Sequence, residues 1–266
     1  MLQYYRAMKP LATTMVFLLF ASAAKSDGFI ESFDDAGFRN RWFFSNFDQQ
    51  GDWFQTSWRR NLVSLVLRPT PAPGGGALHL KLQSTTNGEK PYFGSEVQRG
   101  GPHHFGSYEV IMRPARGNGI VSAFFLYTGP YFGDPHDEID FEFLGQDTKK
   151  VWINKFASGE RMPGKWIDLP FDAANRQAVY RIEWRSDSIT WFVDDVELHK
   201  ITSETHQIPQ TPSKIFVNIW AGNEKQEEWL GLPDEQIDAE MQVYCVSYRP
   251  IGDPGLTCSE YGAGRW

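Results

Sequence analysis

Between His136 and Gly145 the chain reads HDEIDFEFLG. Glu138, Asp140 and Glu142 occupy alternate positions, and Ile139, Phe141 and Phe143 fill the gaps. Period two belongs to a β-strand, whose successive side chains point to opposite faces. The segment therefore offers pure hydrocarbon to a core on one side and three acids on the other. An ordinary solvent face mixes charge signs, because like charges at neighbouring same-face positions repel. A plain acidic surface and a calcium site are two readings of such a row. Chemistry that needs carboxyl groups is a third.

The rest of the chain repeats the two-residue period. ALHLKLQ (77–83), SYEVIMR (107–113), KIFVNIW (214–220) and AEMQVYCVSY (239–248) all alternate, and Gly, Pro, Asn and Asp separate them. SITWFVDDVELH predicts a hairpin turning at Asp194-Asp195, and a short helix is expected near 223–230. No long stretch has a helical period and no internal repeat is visible. With 266 residues and 41% hydrophobic composition, one all-β domain is affordable. Two packed antiparallel sheets are the expected architecture. The net charge of −7 argues against a nucleic-acid partner, since phosphate binding calls for a basic surface.

Several strands pair a hydrocarbon face with a face of aromatics and amides. Phe216, Asn218 and Trp220 share one side of KIFVNIW. Trp152, Asn154 and Phe156 share one side of VWINKF, and Phe125 and Tyr127 one side of AFFLY. Pyranose rings stack on aromatic faces while their hydroxyls need paired donors and acceptors, so this mixture suits a polysaccharide. Each aromatic taken singly reads more readily as core than as a ligand platform, and it is the repetition of the mixed pattern that raises the sugar reading.

The first 23 residues have the pattern of a signal peptide. Arg6 and Lys9 precede the apolar run LATTMVFLLFASAA, and Ala21-Ser22-Ala23 fits a small-residue cleavage site. Residues 24–266 would form a single catalytic domain, secreted or periplasmic, with no membrane contact after cleavage. Cys245 and Cys258 are disulfide candidates in an exported chain. No Cys/His cluster has zinc spacing, and no glycine-rich phosphate loop precedes a helix.

Three carboxyl groups on one strand can cleave a glycosidic bond. A retaining hydrolase uses one as nucleophile and another as acid, then base, with the two groups ~5–5.5 Å apart. Glu138 and Glu142 are four residues apart, roughly 13 Å along a straight strand at ~3.3 Å per residue. They would have to lean together across a concave, bent strand. Asp140 between them could hydrogen-bond one glutamate, and its charge would help keep a proton on the other.

HDEIDFEFLG resembles the active-site strand of glycoside hydrolase family 16. GIVSAFFLYTGP (119–130), DEIDFEFLGQDTKKV (137–151), KIFVNIWAG (214–222), EEWLG (227–231) and SEVQRGGPHHFGSYEV (95–110) look like segments of bacterial lichenases, the endo-β-1,3-1,4-glucanases of that family. The resemblance implies a jelly-roll β-sandwich with a substrate cleft on its concave sheet, a retaining mechanism, and no organic cofactor. It matches Glu138 to the nucleophile, Asp140 to the assisting acid and Glu142 to the general acid/base. It matches Glu96, Phe125, Tyr127, Asn154, Asn218, Trp220 and Trp229 to cleft positions. His136 stands where lichenases carry Trp, as in the xyloglucan enzymes. Gln98 replaces a cleft arginine, Phe156 a cleft tyrosine, and the loop SNFDQQGDW departs from the lichenase pattern. The aspartate of the lichenase structural calcium has no clear counterpart near Tyr244, so no metal ligands are assigned and a structural calcium stays open without support from the sequence. The implied protein is a monomer acting on a β-1,3-1,4-glucan or on a related exopolysaccharide such as succinoglycan, which rhizobial glycanases trim. A xyloglucan-type transglycosylase and a non-catalytic carbohydrate-binding protein are the alternatives.

Overall fold

The computed structural model describes residues 27–48, 51–67 and 76–261. The expected signal peptide and most of the PTPAPGGG loop lie outside these residues. The alternating segments form strands of two face-to-face sheets, nearly all antiparallel. One sheet runs, edge to edge, through Trp42–Phe44, Tyr92–His103, Ser213–Ala221, Ile120–Thr128, Asp137–Leu144, Lys150–Ala157 and Lys165–Asp168. The other runs through Val63–Leu67, Gly76–Ser84, Asp238–Pro250, Gly106–Arg113, Ala178–Trp184, Ser188–Val193 and Val196–Thr202. Phe29–Glu31 lies beside the second half of Asp238–Pro250. The long strand Tyr92–His103 joins the sheets, since its first residues pair with Gly76–Ser84 and the remainder with Ser213–Ala221. The all-β jelly-roll expectation is met.

The core explains why each strand faces as it does. Ile139, Phe141 and Phe143 point between the sheets and are buried. Phe141 and Phe143 meet the ring of Tyr180 from the opposite sheet, at centroid distances of 5.8 and 4.6 Å. Trp191, also from that sheet, donates its indole N–H to the backbone oxygen of Asp140 at 3.0 Å. Each large buried side chain contributes about 1.5–3 kcal/mol. A one-residue slip would send the three acids into this core, so the register of the acidic strand is strongly fixed.

Local chemistry sets the connections. Asp194 and Asp195 both have positive φ, 46° and 64°, the two-residue hairpin turn that suits the right-handed twist of its strands. The expected short helix is a 3-10 turn, Glu224–Gln226, running into Glu227–Leu230. Asn223 and Gln226 close a capping box at its start. Cys245, buried in its strand, is bonded to Cys258. Among the described residues, no helix is long and apolar enough to cross a membrane.

Candidate active site

The acids stand on the outer face of the curled sheet, and strand register surrounds them with the residues singled out from the sequence. Glu138 lies between Tyr127 and Phe156, Asp140 between Phe125 and Asn154, and Glu142 between Ala123 and Trp152. Beyond Ala123 come Asn218 and Glu96, and beyond Phe125 come Phe216 and Gln98. Five neighbouring strands thus build one floor. Phe125 and Phe216 stack at 5.0 Å with 17° between their planes. The Oδ1 atoms of Asn154 and Asn218 and the Nε1 atoms of Trp152 and Trp229 are buried without a hydrogen-bond partner. Buried polar groups are normally paired. Unsatisfied donors and acceptors in a cleft floor suit a ligand bearing hydroxyls.

The electrostatics separate the three acids. Burial pushes Glu142 up to about 8, with the charge of Glu138 the second cause and Arg161 opposing it. Burial also holds Asp140 well above the usual carboxylate range. The charges of Glu138 and Glu142 and a hydrogen bond to Glu138 add to that effect. This corrects the expectation that the charge of Asp140 keeps a proton on Glu142. Burial and the neighbouring charges favour the protonated form of Asp140, in which it can donate to Glu138. Burial and then the charge of Glu138 likewise raise the Tyr127 hydroxyl.

His136 reaches the same glutamate. Its Nε2 lies 2.5 Å from Glu138 Oε2, and its ring stacks on Phe156 with centroids 4.3 Å apart. It contacts an acid as well as lining the cleft. Glu96 is buried and fully engaged: it accepts from Ser45 Oγ (2.6 Å), Gln98 Nε2 (3.0 Å) and Asn218 Nδ2 (3.0 Å). Burial nevertheless raises its pKa against those three bonds. Gln98, which stands at the lichenase arginine position, thus spends its amide on Glu96 and on Ser45.

Trp220 is placed differently from the expectation of an open stacking surface. It is on the cleft side of its strand but only 4% exposed. Phe54 covers it edge-on at 4.6 Å, and Trp58, Val121, Leu144 and Leu230 pack around it. Phe54 and Trp58 come from a segment more than 160 residues away in sequence, so strand alternation alone could not reveal the cover. Trp229 is partly exposed, beside both Trp220 and Trp152. Near Tyr244, the hydroxyl donates to Gln242 Oε1 at 2.6 Å. Among the described residues, no group of three His, Cys, Asp or Glu side chains could hold a metal ion.

Residues 51–238 match the family Glycosyl hydrolases family 16. The chain belongs to glycosyl hydrolase family 16, and it is a glycoside hydrolase. Its family 16 relatives include the Beta-glucanase of Bacillus subtilis (strain 168), 37% identical over 233 residues, which cover 85% of this chain and 90% of that protein. The Beta-glucanase of Bacillus licheniformis is 39% identical over 232 residues, covering 87% and 90%. Among solved structures, a prokaryotic beta-1,3-1,4-glucanase (lichenase) from a mouse hindgut metagenome is 34% identical. It superposes with a TM-score of 0.75, covering 85% of this chain and all of that one.

Proposed function

We propose that the protein is a secreted, monomeric, retaining endo-β-glucanase that cuts internal bonds of a β-1,3-1,4-linked glucan. One observation carries the mechanism. Glu138 and Glu142 share one face of the cleft floor, and Glu142 keeps its proton up to about 8 while Glu138 supplies the neighbouring charge. Two carboxyl groups whose environments separate their protonation are the pair that acid-assisted glycoside cleavage needs. Glu138 attacks the anomeric carbon as Glu142 protonates the departing glycosidic oxygen, leaving a covalent glycosyl–Glu138 ester. Water then gives a proton to Glu142 and displaces Glu138, so the configuration is retained. Asp140, protonated, steadies Glu138 by a hydrogen bond, and His136 touches the same carboxylate. Glu96, Phe125, Tyr127, Asn154, Asn218 and Trp229 bind the sugar chain, with Trp220 as support beneath them. The glucan assignment rests on the names of the relatives together with this floor.

A related exopolysaccharide such as succinoglycan is the second substrate reading. Its support is Gln98, which replaces a lichenase arginine and is bound to Glu96 and Ser45. Digestion of lichenan, laminarin, xyloglucan and succinoglycan, with products identified by mass, distinguishes the two. Lichenan cleavage to short oligosaccharides is expected, and its absence rejects the glucan assignment. Early products followed by proton NMR should be β, whereas an α product rejects retention. Export is tested by sequencing the N-terminus of protein from the medium, which should begin at Ala24.

A further inference from the structure

The cleft-floor row that runs through Glu96, Asn218, Ala123 and Glu142 continues past the acids. Trp152 is the register partner of Glu142, and Trp166 is the register partner of Trp152. Register partners point the same way, so both indoles stand on the cleft side. Ile167, next along the edge strand, turns inward against the core, which fixes the direction of Trp166. At ~4.8 Å per strand, Trp166 lies roughly 10 Å across the sheet from Glu142.

We propose that Trp166 and Trp152 form a sugar-binding subsite at the outer edge of the cleft, on the side of the acids away from Glu96, and that it holds a ring of a longer glucan chain. The two indoles meet at 5.1 Å with 69° between their planes, forming a corner. Trp152 is held in place: Trp229 lies 6.1 Å away on one side, and the backbone at Gly164 sits so close that an added Cβ would be 2.1 Å from the Trp152 ring. Trp152 Nε1 is a buried donor without a partner. Trp166, by contrast, is 38% exposed on an edge strand. A sheet edge needing only to be soluble would carry a charge there. An open aromatic face set against a fixed indole offers a pyranose a stacking surface with an aromatic wall beside it. The corner is continuous with the floor that carries the acids, so its occupant is the chain already bound there.

The inference rests on the glucanase function proposed above, and two measurements separate the two. The first is kcat/KM for wild type, Trp166→Ala and Trp166→Phe on a short aryl β-glucoside and on long β-1,3-1,4-glucan oligosaccharides. The long-to-short ratio should fall about tenfold in Trp166→Ala, the size expected on truncating one aromatic contact, and Trp166→Phe should restore most of it. A ratio within twofold of wild type overturns the subsite. A lowered melting temperature with an unchanged ratio does too, since it marks Trp166 as a cover for Trp152. The second is calorimetric titration of Glu138→Gln, with and without Trp166→Ala, using the same oligosaccharides. If wild type cleaves none of them but the affinity gained with chain length disappears with Trp166, the catalytic assignment fails and the subsite stands. If the length-dependent gain is absent or survives Trp166→Ala, the subsite is rejected whatever the activity.

Discussion

Glu109 and Glu142 are both glutamates in the middle of strands, on the outer faces of opposite sheets, and burial raises the pKa of both. What surrounds them differs. Glu109 accepts from the backbone N–H of Ser259 (2.9 Å) and from Ser259 Oγ (3.0 Å), and Arg181 lies 3.8 Å away. It pins the C-terminal segment, which the Cys245–Cys258 bond also fastens. Glu142 has a like charge in Glu138 as its neighbour and only Arg161 to oppose it. One site places a carboxylate where the fold satisfies it. The other holds acids where their charges conflict, and such strain collects at functional sites.

The sharpest break between the two sites is in turnover. Glu138→Gln should lower kcat on the order of 10⁴-fold while the melting temperature holds or rises. Near-normal turnover in that variant would remove the acidic row from catalysis. Next, reduction of Cys245–Cys258 should destabilise the fold by about 3 kcal/mol, from the closed loop of 13 residues, and should leave kcat of the folded enzyme nearly intact. Denaturant unfolding with and without reductant measures this; a loss of activity ahead of unfolding would tie the tail to the cleft.

Smaller effects should carry opposite signs. Glu109→Ala should cost about 2 kcal/mol at neutral pH, since the Ser259 donors and Arg181 lose their acceptor. Asp140→Asn should instead stabilise by about 1 kcal/mol in the same unfolding assay. The sign follows from proton uptake. A carboxyl raised on folding is at full stability below its ordinary value and loses it as pH rises through the folded value. For Glu142 that window runs from 4.5 to about 8. Asp140 behaves alike, because the protonated acid of the folded state must compete with an ionised one in the unfolded chain. The gain in Asp140→Asn should therefore be near zero at pH 3 and grow toward neutrality. Equal destabilisation at both sites would end the contrast. Turnover of Asp140→Asn should fall less than that of Glu138→Gln, because the amide can still donate to Glu138.

Alternation within single segments was enough to place Glu138, Asp140 and Glu142 opposite a hydrocarbon face, and to put Phe125, Tyr127, Asn154 and Asn218 on the cleft side. Those features depend only on which way consecutive residues point. The aromatic cover over Trp220, the donors on Glu96 and the proton on Asp140 depend on which distant segments meet. Trp166 escaped notice for a related reason: its strand, Lys165–Asp168, has too few residues to declare a period.

The central strand Ser213–Ala221 sits between Tyr92–His103 and Ile120–Thr128, although it follows both by roughly ninety residues or more. A nascent chain that has reached residue 200 holds Glu138, Asp140 and Glu142 already, yet its floor is split, with an open strand edge on each side of the gap. Asn218 then closes it by donating to Glu96, 122 positions earlier. Pairings across such separations are slow to form. The binding surface is therefore completed late, and a chain that stops short of Ala221 carries no finished cleft.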